Sequence, residues 1–159
     1  MSWLPEGFIH PTLVEIGDLG HLRPIRESDT ELDYPAVMGS RERLWSIYGE
    51  SWGWPPETLT VEQDREDLRY HEDEAASQSS FNYALFDDEE TRLLGCCYVD
   101  PPDQKPELAG TLPEGTDAVI SWWVVDELVG TKLAAELDAA VPVWIAQIWP
   151  FERPYYGVV

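Results

Sequence analysis

The sequence of 159 residues carries 31 acidic residues against ten lysines and arginines, which gives a formal charge of −21. Such a charge repels the phosphates of nucleic acids and of anionic membranes, so we exclude nucleic-acid binding and expect no membrane association. The hydrophobic content of 43% and the eight tryptophans are typical of a globular protein, and the length fits one domain over residues 1–159.

Nothing in the sequence indicates export or a membrane span. The longest uninterrupted apolar run covers residues 139–146, far short of the ~20 residues that a spanning helix needs. The first six residues lack the basic and apolar stretches of a signal peptide. We therefore expect a cytoplasmic protein.

The first half of the chain is predicted to form two short strands and two helices. The strands cover residues 13–16 and 21–25, and a glycine-containing turn joins them. A capping box at 28–31 starts the first helix, and a second one at 60–63 opens a helix that extends to about residue 77. Residues 45–56, rich in Trp, Gly and Pro, predict a loop between these helices.

The second half is predicted to form three strands, a helix and a short edge strand. In chain order these are residues 81–86, 93–99, 118–125, 131–148 and 151–156. A Pro-rich loop over residues 100–116 precedes the third of the strands. The spacing of Leu133, Leu137 and Val141 gives the helix one face to bury.

Two features that suggest reactive or metal-binding groups favour a structural interpretation. Cys96 and Cys97 are neighbours on a strand, so their side chains point to opposite faces, and we interpret them as small apolar residues. The acidic run after His71 lacks a second histidine one helical turn away, so we predict a solvated helix face and no metal site.

A cluster of aromatic residues allows two interpretations. Trp45, Trp52 and Trp54 lie within ten residues, beside Tyr48. Large aromatic side chains line small-molecule pockets. They also attach irregular loops to a sheet, which is the commoner use, and the sequence leaves both interpretations open.

The order of these elements resembles the GNAT superfamily of acetyl-CoA-dependent N-acetyltransferases over roughly residues 21–156. The residues that carry the resemblance are 22–25 with Asp29, then 94–99 after an acidic turn, and 119–125 leading into 130–133. It implies an α/β (α+β) fold: a mixed, mostly antiparallel sheet of about five or six strands flanked by about three helices. The usual last helix and strands of the family are expected to be missing.

The resemblance also implies a cofactor site. The backbone of the strand end, Trp123, Val124 and Val125, would pair with the pantetheine arm of acetyl-CoA, and Gly130, Thr131 and Lys132 would hold the pyrophosphate. Only Gly130 fits the family's loop pattern, because the first position is Glu127 and the last is Lys132. Asp126 and Glu127 would repel phosphates, which makes the loop degenerate.

Two functions follow from the resemblance. One is acyl transfer from acetyl-CoA to a small-molecule or peptide amine, which the acidic surface would attract. The other is a catalytically inactive GNAT-fold protein that binds a ligand or a protein partner. Such a protein could form a homodimer in which the second copy completes the sheet edge. No residue is assigned as general base or acid.

Overall fold

The computed structural model describes residues 2–104 and 109–159. Its six strands form one sheet in the order β1-β2-β3-β4-β5-β6. Neighbouring strands are antiparallel, except that β5 and β6 are parallel. The strands are β1 Val14–Ile16, β2 Gly20–Pro24, β3 Phe81–Asp87, β4 Leu93–Asp100, β5 Ala118–Val124 and β6 Pro154–Tyr156. The predicted mixed α/β fold is confirmed, with six strands.

Four α-helices flank the described sheet, one more than the sequence predicted. They are α1 Thr30–Gly39, α2 Arg41–Trp52, α3 Val61–Ala76 and α4 Lys132–Ile148. The predicted loop over residues 45–56 was wrong, because most of that segment belongs to α2. Leu44 and Tyr48, one helical turn apart, are both fully buried. The helix ends at Trp52, and Gly53 follows it with a φ of 62°, a left-handed conformation typical of the residue after a helix.

One of the two predicted capping boxes is confirmed. At the start of α3, Thr60 accepts a hydrogen bond from the Gln63 N–H, and the Gln63 side chain accepts one from the Thr60 N–H. The box predicted at residues 28–31 was misplaced by two positions. There the Asp29 carboxylate accepts from the Arg26 N–H at 2.8 Å, and α1 begins at Thr30 after a short 3₁₀ turn.

The sheet is covered on both faces. On one face α4 buries Leu137 and Val141 against Leu22 and Ile120, whereas α1 to α3 cover the other face. The alternation of strand side chains separates Cys97, on the α4 face, from Cys96, on the opposite face. Both cysteines are free thiols and buried, as predicted.

A buried ionic network fixes the start of α1 against β2. The Arg23 guanidinium donates two hydrogen bonds to the Asp29 carboxylate, at 2.7 and 2.9 Å, and two more to Glu90. His21 contacts the same Glu90 carboxylate at 2.6 Å. The hydrogen bonds from Arg23 lower the pKa of Glu90 to about 2. Arg23 and Asp29, which carried part of the family resemblance, thus connect strand, helix and turn.

The sequence predicted neither a membrane-spanning helix nor a metal site. Within the described ranges, no helix is long and apolar enough to cross a membrane. The same residues contain no group of three or more His, Cys, Asp or Glu side chains that could hold a metal ion. Part of the predicted Pro-rich loop over 100–116 lies outside the described residues.

Candidate functional site

The distal half of β5 has an open edge. Strand β6 pairs with β5 only along residues 118–120 of β5. At the end of this pairing, the Gly157 N–H donates a hydrogen bond to the Ile120 C=O at 2.8 Å. Strand β5 continues to Val124 while β6 ends at Tyr156. Because backbone groups alternate along a strand, those of Trp122 and Val124 face the side where β6 has ended.

The other residues of this strand end point their backbones toward β4. The Val125 N–H donates to the Leu94 C=O at 2.9 Å. The Trp123 C=O lies so close to Gly95 that a Cβ added there would be 2.1 Å from it. Gly95 therefore cannot become a larger residue without displacing β5 or β4. Of the three strand residues predicted to contact a cofactor, only Val124 presents its backbone to the open edge.

The turn from β5 into α4 requires its glycine. Gly130 has a φ of 79°, a conformation that side chains disfavour, and open space surrounds its Cα. The Thr131 hydroxyl caps α4, since it accepts from the Ala134 N–H at 3.4 Å and donates to the Leu128 C=O at 2.6 Å. The N–H groups of Lys132 and Leu133 belong to the first helical turn and have no acceptor among the described residues.

Three ion pairs balance the charges around this turn. Arg43, on α2, donates to the Asp126 carboxylate at 2.7 Å and also to the Val124 C=O. Arg92, in the turn before β4, pairs with Glu127. Lys132 lies 3.6 Å from Glu136.

These ion pairs offset the repulsion of phosphates that the sequence predicted for this turn. Asp126 and Glu127 were expected to repel phosphates, but each carboxylate has an arginine partner. Three acidic and three basic groups leave the turn and the first turn of α4 near neutral. Both arginines come from distant parts of the chain, so the local sequence contained no sign of them.

A groove of about 360 Å³ borders the turn. Its walls are α1, the start of β4 and residues 125–127, and Arg92 is among them. The Asp126 N–H donates to the Ser40 hydroxyl at 2.9 Å, which fixes the turn to the end of α1. The groove and the open edge of β5 therefore meet at the same end of the sheet.

A second cavity, of about 340 Å³, lies at the opposite end of β4. Aromatic walls come from Trp52, Trp54 and Tyr98, and acidic groups come from α1, α3 and β4. The pocket interpretation of the aromatic cluster thus holds for Trp52 and Trp54. Tyr48 is instead fully buried in the core, and Trp45 is largely on the surface.

Two of the acidic groups are buried neighbours at the contact of α1 with α3. Asp33, on α1, and Asp64, on α3, are 3% and 2% exposed. Burial raises the pKa of the Asp64 carboxyl to about 6 and that of Asp33 well above its usual range, and each carboxyl adjoins the other. Burial therefore disfavours the ionised form of both groups.

The cavity connects to β5 through its aromatic wall. The Trp123 Nε1–H donates to the Tyr98 hydroxyl at 2.8 Å, and the Trp123 and Trp54 rings are 6.3 Å apart. The backbone of Trp123 points away from the open edge, and its side chain supports the cavity wall. Sequence reasoning missed Asp33 and Asp64 because their contact requires the packing of α1 on α3.

Comparison with known proteins supports the fold and the family. Residues 21–154 match the family model described as "Acetyltransferase (GNAT) domain". The chain superposes on ribosomal-protein-S5-alanine acetyltransferase from Vibrio fischeri with a TM-score of 0.65 at 14% identity, over 92% of this chain and 73% of that one.

Two further solved structures give the same result. The acetyltransferase from Salmonella typhimurium that modifies the N-terminal serine of ribosomal protein L7/L12 has a TM-score of 0.66 at 14% identity, over 91% and 73% of the two chains. The microcin C7 self-immunity acetyltransferase MccE, solved with acetyl-CoA and AMP, has a TM-score of 0.61 at 11% identity, over 87% and 70%. No curated protein matches the chain.

Proposed function

Because the chain belongs to the GNAT acetyltransferase family, we propose that it transfers an acetyl group from acetyl-CoA to an amine. The observation that carries the proposal is the open edge of β5 beside the first turn of α4. A strand edge offers hydrogen bonds to the amides of an extended pantetheine arm, and a helix start offers N–H groups to a pyrophosphate.

The residues present fit this cofactor. The backbone groups of Trp122 and the Val124 N–H would pair with the pantetheine arm. The free N–H groups of Lys132 and Leu133 would hold the pyrophosphate together with the Lys132 ammonium. Gly130 keeps the approach to those N–H groups clear. The Thr131 hydroxyl serves the helix cap and contributes by positioning the turn.

Arg43 and Arg92 adapt a loop with two acids to an anionic ligand. Each guanidinium neutralises one carboxylate, so a phosphate meets a near-neutral surface in place of a repulsive one. Arg43 also holds the Val124 C=O, at the end of the open edge. We assign both arginines to cofactor binding through their effect on Asp126 and Glu127.

Bound acetyl-CoA supplies a thioester, whose carbonyl carbon bonds to the amine nitrogen while the carbon–sulfur bond breaks to release the CoA thiol. The strand and the turn contribute by holding this group in one orientation, and orientation alone can supply several kcal/mol of a reaction barrier. Residues that move the proton from nitrogen are not assigned.

A thermal-shift titration with acetyl-CoA tests the proposal. A ligand that binds only the folded state at 100 times its Kd adds about 2.7 kcal/mol of stability, or roughly 5–10 °C in Tm for a chain of this size. Lys132→Ala should reduce the shift, whereas Lys132→Arg, which keeps the charge, should preserve most of it. The absence of a shift at millimolar acetyl-CoA would contradict the proposal.

A further inference from the structure

The cavity at the end of β4, which we call the acidic cavity, is lined by four aspartate side chains. They are Asp33 on α1, Asp64 and Asp67 on α3, and Asp100 at the end of β4. Among the described lining residues only His71 can become cationic, and it already contacts Glu74 at 3.0 Å. The cavity is therefore suited to a positively charged ligand.

Two buried oxygen atoms of lining residues point independently to a hydrogen-bond donor. Neither Asp64 Oδ2 nor Asn82 Oδ1 has a partner among the described residues. Asp64 is 2% exposed and Asn82 is 7% exposed, so bulk water does not compensate them. An unsatisfied buried acceptor destabilises the folded protein, and a ligand that donates hydrogen bonds would satisfy it.

The aromatic walls complete a site for an organic cation. Trp52 packs edge-on to Tyr98, with ring centroids 5.0 Å apart, and Trp54 lies beside them. Indole faces attract ammonium groups through the quadrupole of the ring. The volume of about 340 Å³ fits a small molecule.

We propose that the acidic cavity binds the acceptor substrate, and that this acceptor is a small molecule with two amino groups. The inference rests on the proposed acetyl transfer. An amine held as an ammonium by carboxylates has no lone pair, so it anchors the molecule but cannot attack a thioester. A second amine, at the other end of the molecule, is then the nucleophile.

The position of the cavity agrees with this division of roles. Tyr98, in its wall, accepts the hydrogen bond of Trp123, and Trp123 lies on β5 between the two residues of the open edge. The aromatic wall thus leads from the buried oxygens of Asp64 and Asn82 toward β5.

Calorimetric titration of the unmodified chain with 1,4-diaminobutane, without acetyl-CoA, tests the binding step. We expect saturable binding of the diamine, binding at least tenfold weaker for 1-aminobutane, and none for 1,4-butanediol. Asp64→Asn should weaken diamine binding at least tenfold. Asp88→Asn, an exposed substitution with the same change in net charge, should leave it unaltered.

A second variant covers the case in which Asp64→Asn does not fold. Asp67 lines the cavity from an exposed position, so Asp67→Asn should fold and bind the diamine several-fold more weakly. Equal loss in Asp67→Asn and Asp88→Asn would mean that the diamine senses only the overall charge, and would overturn the proposal. So would the absence of diamine binding at millimolar concentration.

The transfer step separates this inference from the proposed function. Mass spectrometry after incubation with acetyl-CoA should show the singly acetylated diamine, at a rate that Asp64→Asn or Asp67→Asn lowers. Acetylation of peptide amines without diamine binding would sink the inference and leave acetyl transfer standing. Diamine binding without any acetyl-CoA binding would instead refute the proposed function, and with it the acceptor role of the cavity.

Discussion

Replacement of Arg43 by glutamine tests whether the ion pairs around the turn make a phosphate site. Arg43 donates to Asp126 at 2.7 Å and to the Val124 C=O, so Arg43→Gln removes one positive charge and leaves the Asp126 carboxylate unpaired. Glutamine keeps a hydrogen-bond donor and much of the side-chain length. The change is therefore mainly electrostatic.

The expected loss follows from Coulomb's law. One unit of charge at ~8 Å from a phosphate is worth between ~0.5 and ~2 kcal/mol, for effective dielectric constants between ~80 and ~20. A central value of about 1 kcal/mol corresponds to roughly a fivefold higher Kd for acetyl-CoA. Because Arg43 is partly exposed, the loss should shrink at ~0.5 M salt, where screening is strong.

Isothermal calorimetry with acetyl-CoA at low and high salt measures this difference. Arg69→Gln is the matched control, because Arg69 is an exposed residue of α3, and α3 contributes nothing to the groove beside the turn. An equal loss in Arg69→Gln would show that only net charge matters. Tighter binding by Arg43→Gln would show that Arg43 obstructs the strand edge, and would refute its assignment to cofactor binding.

Two other predictions concern packing and protonation. Gly95→Ala would place a Cβ 2.1 Å from the Trp123 C=O, so we expect the free energy of unfolding to fall by ~1–3 kcal/mol, with a lower Tm and weaker acetyl-CoA binding. Gly110→Ala is the control, because its added Cβ meets no atom within 4 Å. Burial raises the pKa values of Asp33 and Asp64, so the folded state binds more protons than the unfolded state, and stability should fall as pH rises from about 4 through about 6. Melting curves between pH 4.5 and 7.5 should show a flatter dependence for Asp64→Asn, and an unchanged slope would contradict the raised pKa of Asp64.

Much of the fold could be predicted because the second half of the chain has regular patterns. The strands β3 to β5 follow runs of apolar residues bounded by turn residues, and the spacing of Leu133, Leu137 and Val141 matches the buried face of α4. Helix α2 was missed because Trp, Gly and Pro residues around it outweighed the spacing of Leu44 and Tyr48. That spacing was the available signal.

The site could be predicted only in part, because its charges come together through tertiary packing. The turn at Gly130 was recognised from local sequence, and its conformation agrees with that assignment. Arg43 and Asp126 are 83 positions apart, and no pattern in the sequence connects them. The same holds for Asp33 and Asp64, so the acidic cavity could be identified only from the structure. The expected homodimer stays a prediction.

Release of CoA from acetyl-CoA in the presence of an amine tests the central claim most directly. The purified chain is incubated with acetyl-CoA and either 1,4-diaminobutane or a short peptide with a free N-terminus, and the CoA thiol is measured over time. Acetyl transfer predicts thiol release that depends on the amine and falls in Lys132→Ala. Binding of acetyl-CoA without amine-dependent thiol release would contradict the account and indicate a GNAT-fold protein that only binds its ligand.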